Sequence, residues 1–256
     1  MMSTPAVHTR TEGALLVITI DRPEAHNAVN MAVAQGLRLA LAELNDRSDL
    51  RVGVITGAGG HFCAGMDLKA FAQGERPWIA GAGFAGFTEA FPKKPLIAAV
   101  EGYALAGGFE IALACDMIVA SRAASFGLPE VRRGLVAAAG GLLRLPGRFP
   151  YHLAMEIALT GRQISATQAH GHGLLNRLVE PGQALQTACE LAAEVAANAP
   201  LAVAASKQIV QRSHGWPVDT MFAQQRAYAD PVLDSADAKE GATAFAEKRT
   251  PVWSGS

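Results

Sequence analysis

The stretch EGYALAGGFEIALACD, residues 101 to 116, carries the pattern that decides the fold. An apolar run reaches the pair Gly107-Gly108, passes through Glu110 and then continues as an apolar run to Cys115. This order predicts a buried strand, a glycine turn and a buried helix. A carboxylate within such a segment is costly unless it is paired or used. The sequence therefore predicts a functional role for Glu110.

Strand and helix patterns alternate before Pro150, and helical patterns alone follow it. Strands are predicted over 14–23, 51–60, 96–105, 116–121 and 125–130, with a helix over 30–50 that Asn30 caps. Further helices are predicted over 151–160, 165–170, 183–198, 200–213, 217–228 and 236–248. The alternation indicates an α/β fold with parallel strands. We place its core in residues 1–195 and a helical region in 196–256.

Composition restricts the class of protein. The chain has 256 residues, half of them hydrophobic, and a net charge of −1. It is long enough to bury a sizeable core, and its charge gives no support to a nucleic-acid or membrane surface. It contains no apolar run of about 18 residues, and MMSTPAVHTR lacks the apolar centre of a secretory signal. Three widely spaced cysteines, Cys63, Cys115 and Cys189, are expected to be reduced thiols, which indicates a cytoplasmic setting.

A second glycine turn occurs in HFCAGMDLKAF, residues 61 to 71, which also follows a strand and opens a helix. Each such turn leaves backbone N–H groups without intrahelical partners. Two donors of this kind, brought together, form an oxyanion hole that stabilises a developing negative charge on oxygen. Spacing alone leaves open that both are ordinary strand-to-helix turns. Asp67 is expected to cap the second helix.

Five segments, taken in order, resemble the enoyl-CoA hydratase, or crotonase, family. They are HFCAGMDLKAF, KPLIAAVEGYALAGGFEIALACD, FGLPEVRRGLVAAAGGLLRLP, ALTGRQISATQAHGHGLLNRLV and EGATAFAEKR, and the resemblance runs from about residue 12 to 251. It implies a crotonase-type spiral of ββα units with a C-terminal helical trimerisation region. It further implies an acyl-CoA substrate, no cofactor besides the CoA of that substrate, no metal, and a homotrimer or a dimer of trimers.

The resemblance also implies roles for individual residues. Glu110 activates a water molecule and Glu130 delivers a proton to the α-carbon, so that water adds across the 2,3-double bond of a trans-2-enoyl-CoA. The N–H groups of Ala64 and Gly107 bind the thioester carbonyl. The implied contacts with the CoA thioester are Ala25, Ala64, Gly65, Met66, Asp67, Leu68 and Gly107, while Phe245 and Lys248 reach the CoA of a neighbouring subunit.

Four positions depart from the residues that are common in the family: Met66, Ala106, Phe109 and Ala138. The first three keep their N–H groups, so they are expected to reshape the pocket and alter substrate choice. Ala138 lies at a predicted helix start, whose positive dipole end is expected near the thioester.

Other interpretations remain open. The enzyme alternatives are an enoyl-CoA isomerase, which would use mainly Glu130, and a dehydratase of a specialised acyl-CoA. A non-catalytic oligomeric scaffold and an RNA-binding relative are disfavoured by the two glutamates and by the lack of a lysine-rich helix. His170 and His172 lack a clear third ligand for a metal. Residues 74–91 form either a surface loop or a mobile lid, with walls made of Trp78, Phe84 and Phe87.

Overall fold

The computed structural model describes residues 5–90 and 92–256; residues 1–4 and Phe91, the last residue of the lid segment, lie outside the described residues. The chain divides into two compact units, of which the first ends at Ala192 and the second is Ala193–Ser256. The division predicted after residue 195 stays a prediction. Elements of the first unit, in chain order, are β1 (Val7–Glu12), β2 (Leu15–Ile20), α1 (Met31–Asp46), β3 (Val52–Gly57), α2 (Leu68–Ala72), β4 (Trp78–Ile79), β5 (Gly83–Phe84), β6 (Leu96–Val100), β7 (Tyr103–Leu105), α3 (Gly107–Ala114), β8 (Met117–Ser121), β9 (Ser125–Gly127), α4 (Gly141–Arg144), α5 (Tyr151–Thr160), β10 (Gln163–Ser165), α6 (Ala166–Gly171) and β11 (Arg177–Val179), followed by α7 (Ala184–Ala196).

The main sheet has the strand order β1-β2-β3-β6-β8-β11. Only the pair β1 and β2 is antiparallel, and all other neighbours are parallel. Strands β2, β3 and β6 are buried along nearly their whole length, as their continuous apolar sequences require. The sheet therefore forms the rigid base from which the loops toward the site depart.

A repeated unit of two strands and a helix builds the first part of the chain. β6 is followed by β7 and α3, and β8 is followed by β9, with β7, β9 and β10 forming a second, three-stranded sheet. After β3, Cys63 makes an isolated parallel bridge to Ala104 before α2 begins. This repeat is a spiral of ββα units, and it brings the starts of α2 and α3 next to each other.

The structure differs from the predicted elements where the backbone turns. Residues 96–105 are predicted as one strand but form β6 and β7, because Gly102 adopts a left-handed φ of 52°. A side chain at Gly102 would lie 2.3 Å from Nδ1 of His61, so the turn requires glycine. The predicted strand over 125–130 ends at Gly127, and a 3₁₀ helix follows at Pro129–Arg133. The sequence analysis missed β1, whose mostly exposed polar residues give no apolar pattern. The prediction that helices alone follow Pro150 is wrong, since β10 and β11 lie there; each has three residues, too few for a strand pattern.

The second unit contains α8 (Pro200–Ser213), α9 (Met221–Leu233) and α10 (Ala236–Glu247). Its C-terminal segment folds back, because the buried Asp237 carboxylate accepts hydrogen bonds from the N–H groups of Ser254 and Gly255. Within residues 5–90 and 92–256, no single helix is long and apolar enough to cross a membrane; α7 and α8 pass that test only as a bent pair.

Candidate active site

A cavity of about 580 Å³ opens in the first unit where the two glycine turns meet. Its lining is His26, Ala64, Met66, Leu68, Phe71, Trp78, Phe84, Tyr103, Leu105, Ala106, Gly107, Glu110, Pro129, Glu130, Arg132, Arg133, Leu135, Val136, Ala138 and Gln163. A depression of about 730 Å³ between β1 and α1 is larger, but none of the predicted site residues lines it. The smaller cavity is therefore the candidate active site.

Glu110 lies in the first turn of α3, a helix whose eight residues are all buried. Its Oε1 accepts hydrogen bonds from the N–H groups of Ala139 and Gly141, both at 2.8 Å. Burial raises the pKa of the Glu110 carboxyl, while these N–H groups and the Arg144 charge act in the opposite direction. Within the described part of the chain, nothing donates to Oε2. This oxygen is therefore available to a water molecule in the cavity.

The N–H groups that hold Glu110 revise the prediction for the helix start near Ala138. Helix α4 begins only at Gly141 and has four residues, so it supplies little dipole. Its first residue, Gly141, and Ala139 before it donate their N–H groups to the Glu110 carboxylate. A side chain at Gly141 would place Cβ 2.8 Å from Cγ of Glu110, so glycine is required for this contact.

Glu130 reaches the same cavity from the 3₁₀ helix Pro129–Arg133. Its Oε2 is buried and has no hydrogen-bond partner among the described residues. Burial raises the pKa of Glu130 to about 7, and the negative charge of Glu110 adds to that increase. Its own backbone N–H and Arg133 act in the opposite direction. The cavity thus holds two carboxyl groups whose environments favour sharing a proton near neutral pH.

Two close approaches place the second glycine turn against the first. A Cβ atom added at Gly108 would lie 2.1 Å from the Cys63 carbonyl oxygen. A Cβ atom added at Gly65 would lie 3.0 Å from the Gly107 nitrogen. Gly107 is the first residue of α3, so its N–H has no intrahelical partner. No described residue accepts from this N–H, so it is a main-chain donor available at the cavity.

The structure leaves the N–H group of Met66, and not the predicted N–H group of Ala64, without an acceptor among the described residues. The Ala64 N–H donates to the carbonyl oxygen of His26 at 3.0 Å and is therefore occupied. Val29 forms a parallel bridge with Met66 through the residues on either side of Met66. The Val29 N–H donates to the Gly65 carbonyl oxygen, and the Asp67 N–H donates to the Val29 carbonyl oxygen. This pairing leaves the Met66 N–H directed away from Val29, and no group in 5–90 or 92–256 accepts from it. Met66 also lines the cavity.

The remaining residues of the glycine turn in 61–71 either line the cavity or support its wall. Leu68 and Ala64 line the cavity, whereas Gly65 and Asp67 do not. Asp67 caps α2 by accepting from the N–H groups of Lys69 and Ala70, as the sequence predicts. It also forms a 3.0 Å ion pair with Arg22, whose guanidinium donates to the Ala28 carbonyl. Ala25 ends the 3₁₀ turn Pro23–Ala25 and lies outside the cavity lining.

Residues 74–90 are not a plain surface loop. Strands β4 and β5 pair as a short hairpin, and the segment from Ala82 to Thr88 is buried. Trp78 and Phe84 line the cavity, with ring centroids 5.0 Å apart. Phe87 is buried in the core instead and does not reach the cavity.

Ala106 combines a strained backbone with a place in the cavity wall. It adopts φ 51° and ψ −129° at the N-cap of α3, a conformation that glycine accepts more readily. Its methyl group fills the space beside Gly65, where an added Cβ would lie 2.7 Å away. This departure from the family pattern therefore narrows the cavity next to the Gly107 donor.

The structure also places residues that the sequence analysis did not assign. Arg132, Arg133 and Gln163 line the cavity, and so do His26 and Tyr103. No local pattern marks them, because they come from separate segments: the 3₁₀ helix Pro129–Arg133, β10, β7 and the end of the turn Pro23–Ala25. Phe245 and Lys248 lie in the second unit, where Phe245 is 88% exposed and Lys248 has a left-handed φ of 55°.

Metal ligands do not cluster in the part of the chain that the structure describes: no three or more His, Cys, Asp or Glu side chains form such a group. His172 instead packs edge-on against Phe149. Cys63, Cys115 and Cys189 form no disulfide within the described part of the chain.

The fold and the cavity together define a class of enzyme. The ββα spiral places two main-chain N–H donors beside a pair of carboxyl groups. Such an arrangement can catalyse acid–base chemistry while the N–H groups stabilise an adjacent oxyanion. Comparison with known proteins names that class: the enoyl-CoA hydratase/isomerase family model matches residues 10–256. The chain belongs to the enoyl-CoA hydratase/isomerase family.

Individual relatives agree with this assignment. The crystal structure of enoyl-CoA hydratase from Mycobacterium tuberculosis H37Rv is 58% identical, with a TM-score of 0.97 over 99% of this chain and 100% of that chain. Carnitinyl-CoA hydratase from Mycobacterium avium is 44% identical, with a TM-score of 0.79 over 99% and 100%. Carnitinyl-CoA dehydratase from Proteus mirabilis (strain HI4320) is 45% identical over 98% of both chains. The family resemblance, the crotonase-type fold and the classification as a hydro-lyase are confirmed.

Proposed function

We propose that this protein hydrates a trans-2-enoyl-CoA to a 3-hydroxyacyl-CoA and catalyses the reverse dehydration. The observation that carries the proposal is the presence of Glu110 and Glu130 at one cavity, where Glu110 is held through Oε1 and the buried Oε2 of Glu130 has no partner among the described residues. Hydration needs two proton transfers, one from water and one to the α-carbon, and a carboxyl pair that holds one proton suits both.

The steps follow from the positions of the groups. The Met66 and Gly107 N–H groups accommodate the thioester carbonyl oxygen and stabilise the enolate that forms on it. Glu110, held through Oε1, takes the water proton at Oε2 while the oxygen attacks the β-carbon. Glu130 then gives its proton to the α-carbon. The pair carries one proton before and after the reaction, so no cofactor is needed to balance it.

A dehydratase of a specialised acyl-CoA is the second candidate. Two relatives are named for carnitinyl-CoA, and this cavity has the edge-on aromatic pair Trp78 and Phe84, whose rings suit a quaternary ammonium group. Against this, Arg132 and Arg133 place positive charge on the same lining. The cavity therefore favours an uncharged acyl chain.

A panel of thioesters tests the proposal. Purified protein is assayed for kcat/KM with crotonyl-CoA, longer 2-enoyl-CoA, carnitinyl-CoA and a 3-enoyl-CoA, without added cofactor. The highest value is expected with an uncharged 2-enoyl-CoA. A higher value with carnitinyl-CoA selects the specialised dehydratase, and a higher value with the 3-enoyl-CoA selects the isomerase. No turnover of any of them by folded protein contradicts the proposal.

We further propose a homotrimer or a dimer of trimers that acts in the cytoplasm, with Phe245 and Lys248 contacting the CoA of a neighbouring subunit. Helices α8 and α9 support the oligomer, since neither contains a buried residue. Lys248→Asn tests the CoA contact, because asparagine tolerates the left-handed backbone and removes the charge. This variant is expected to raise KM for the CoA thioester about 10-fold and to leave KM for the phosphate-free pantetheine thioester unchanged.

A further inference from the structure

Arg144 is bound to two segments that form the candidate site. Its Nη2 donates to the Thr88 carbonyl oxygen at 2.6 Å, and its Nη1 donates to the Ala139 carbonyl oxygen at 3.4 Å. Thr88 ends the buried segment that carries the cavity-wall residue Phe84. Ala139 belongs to the loop whose N–H groups hold Glu110. One guanidinium therefore connects the wall to the support of the carboxylate.

The loop from Ala139 to Gly141 is shaped around that guanidinium. Gly140 lies between the two N–H donors to Glu110 and has a left-handed φ of 95°. A Cβ atom at Gly140 would lie 2.1 Å from Arg144 Nη1, so a side chain there would displace the guanidinium. The carbonyl side of the loop thus faces Arg144 while its N–H groups face Glu110. The planar fork of arginine suits a contact with two carbonyl groups better than the single ammonium of lysine.

We propose that Arg144 is a positioning residue for Glu110, which pins the 139–141 loop to the cavity wall and holds the carboxylate in its charged, oriented state. The proposal rests on the proposed function for the catalytic role of Glu110. Arg144 does not line the cavity itself, so it acts through the loop and through its charge.

The charged groups around Glu110 set the expected direction of the effect. The Arg144 charge lowers the pKa of Glu110. Glu130 is the acidic group that faces Glu110, and the Arg133 charge lowers the pKa of Glu130. Cys115 and Arg148 contribute to the environment of Arg144. Loss of the Arg144 cation is therefore expected to raise the pKa of Glu110, and the acidic limb of the kcat/KM profile then moves to higher pH.

The test compares Arg144→Met, Arg144→Lys and the control Arg148→Met. Arg148 is an exposed arginine four residues further along. Arg144→Met is expected to move the acidic limb upward by about one pH unit, the lower end of the effect of a nearby opposite charge. Arg144→Lys keeps the charge, so the acidic limb of its kcat/KM profile stays at the wild-type pH. Its kcat is expected to fall about 10-fold at unchanged KM. Arg148→Met is expected to match the wild-type protein in both respects.

A second readout is independent of turnover. The Glu110 carboxyl is titrated by ¹³C NMR in glutamate-labelled protein, with its signal assigned from the spectrum of Glu110→Gln. An upward shift in Arg144→Met, absent in Arg148→Met, supports the proposal even if no hydration occurs. An unmoved signal and an unmoved limb in folded Arg144→Met overturn it. If Arg144→Met does not fold, Arg144→Lys decides: a reduced kcat with an unmoved limb supports the proposal, and wild-type kcat overturns it.

Discussion

At the scale of single residues, Glu110 and Glu130 differ in how the protein holds them. Glu110 has one oxygen fixed by two N–H groups, whereas Glu130 has a buried oxygen without a partner in the described chain. Burial and the Glu110 charge bring the pKa of Glu130 to about 7. The pair therefore loses its shared proton above about this pH and gains a second proton when Glu110 becomes protonated.

This pair predicts the shape of the pH profile. kcat/KM for hydration is expected to fall above about pH 7 and to fall again on the acidic side. Because the reaction neither consumes nor releases a proton, dehydration is expected to show the same two limbs. Both directions are measured from about pH 5 to about pH 9. Glu130→Gln is expected to abolish the alkaline limb and lower the rate at least about 100-fold. A flat profile would contradict the assignment of the pair.

The strained backbone of Ala106 leads to a prediction about stability. Ala106→Gly removes a methyl group from a residue at φ 51°, where glycine is relaxed. The relief of about 1–3 kcal/mol outweighs the entropic cost of glycine, so a net gain of about 1 kcal/mol in the free energy of unfolding is expected. Urea unfolding measures it. Ala104→Gly, at the buried middle residue of strand β7, is the control and is expected to destabilise. Equal losses in both variants would show that position 106 is not strained.

At the scale of elements, the start of α4 controls the orientation of Glu110. Gly141→Ala places Cβ 2.8 Å from Cγ and 3.0 Å from Oε1 of Glu110, so the carboxylate has to move. A loss of about 100-fold in kcat is expected, because catalysis by a positioned base depends on its alignment. Gly147→Ala is the matched control, since nothing lies within 4 Å of the added Cβ and its φ is not left-handed. Wild-type kcat in Gly141→Ala would show that this contact does not position the base.

The same elements show what the sequence predicts and where it stops. The glycine pair before an apolar helix suffices to predict α3 and the burial of Glu110, because both depend on local pattern. The direction of one N–H does not follow from local pattern. Ala64 and Met66 lie in one turn, and the distant residues His26 and Val29 decide which N–H is occupied. The break between β6 and β7 likewise depends on the contact of Gly102 with His61.

At the scale of the whole molecule, the second unit depends on polar contacts at its C-terminal segment. Asp237 is 2% exposed, and its carboxylate accepts from the N–H and hydroxyl groups of Ser254 and from the Gly255 N–H. Trp253 donates its indole N–H to the Ala197 carbonyl oxygen at 2.8 Å. The end of the chain is thus fastened to both α10 and the approach to α8.

Removal of the Asp237 carboxylate is expected to release this segment. Asp237→Ala loses several charge-assisted hydrogen bonds and is expected to destabilise the unit by about 2 kcal/mol. Limited proteolysis measures cleavage within residues 249–256, and thermal unfolding measures the loss in Tm. Asp234→Ala is the control, because Asp234 is exposed and its side chain makes no hydrogen bond within 5–90 or 92–256. Resistance of Asp237→Ala to cleavage would show that other contacts hold the segment.

The exposed apolar side chains of the second unit predict its partner surface. Val210 on α8 and Phe222 on α9 are 67% and 65% exposed, and neither helix buries a residue. Apolar surface of this extent is costly in water unless a second copy covers it. Phe222→Asp is therefore expected to dissociate an assembly of three or six chains of 26.7 kDa each. Analytical ultracentrifugation measures the mass, and Gln225→Asp, at an exposed polar position on α9, is expected to leave it unchanged. A monomeric wild-type protein would contradict the oligomer. An unchanged mass for Phe222→Asp would place the contact on another face, since a buried aspartate without a partner opposes association.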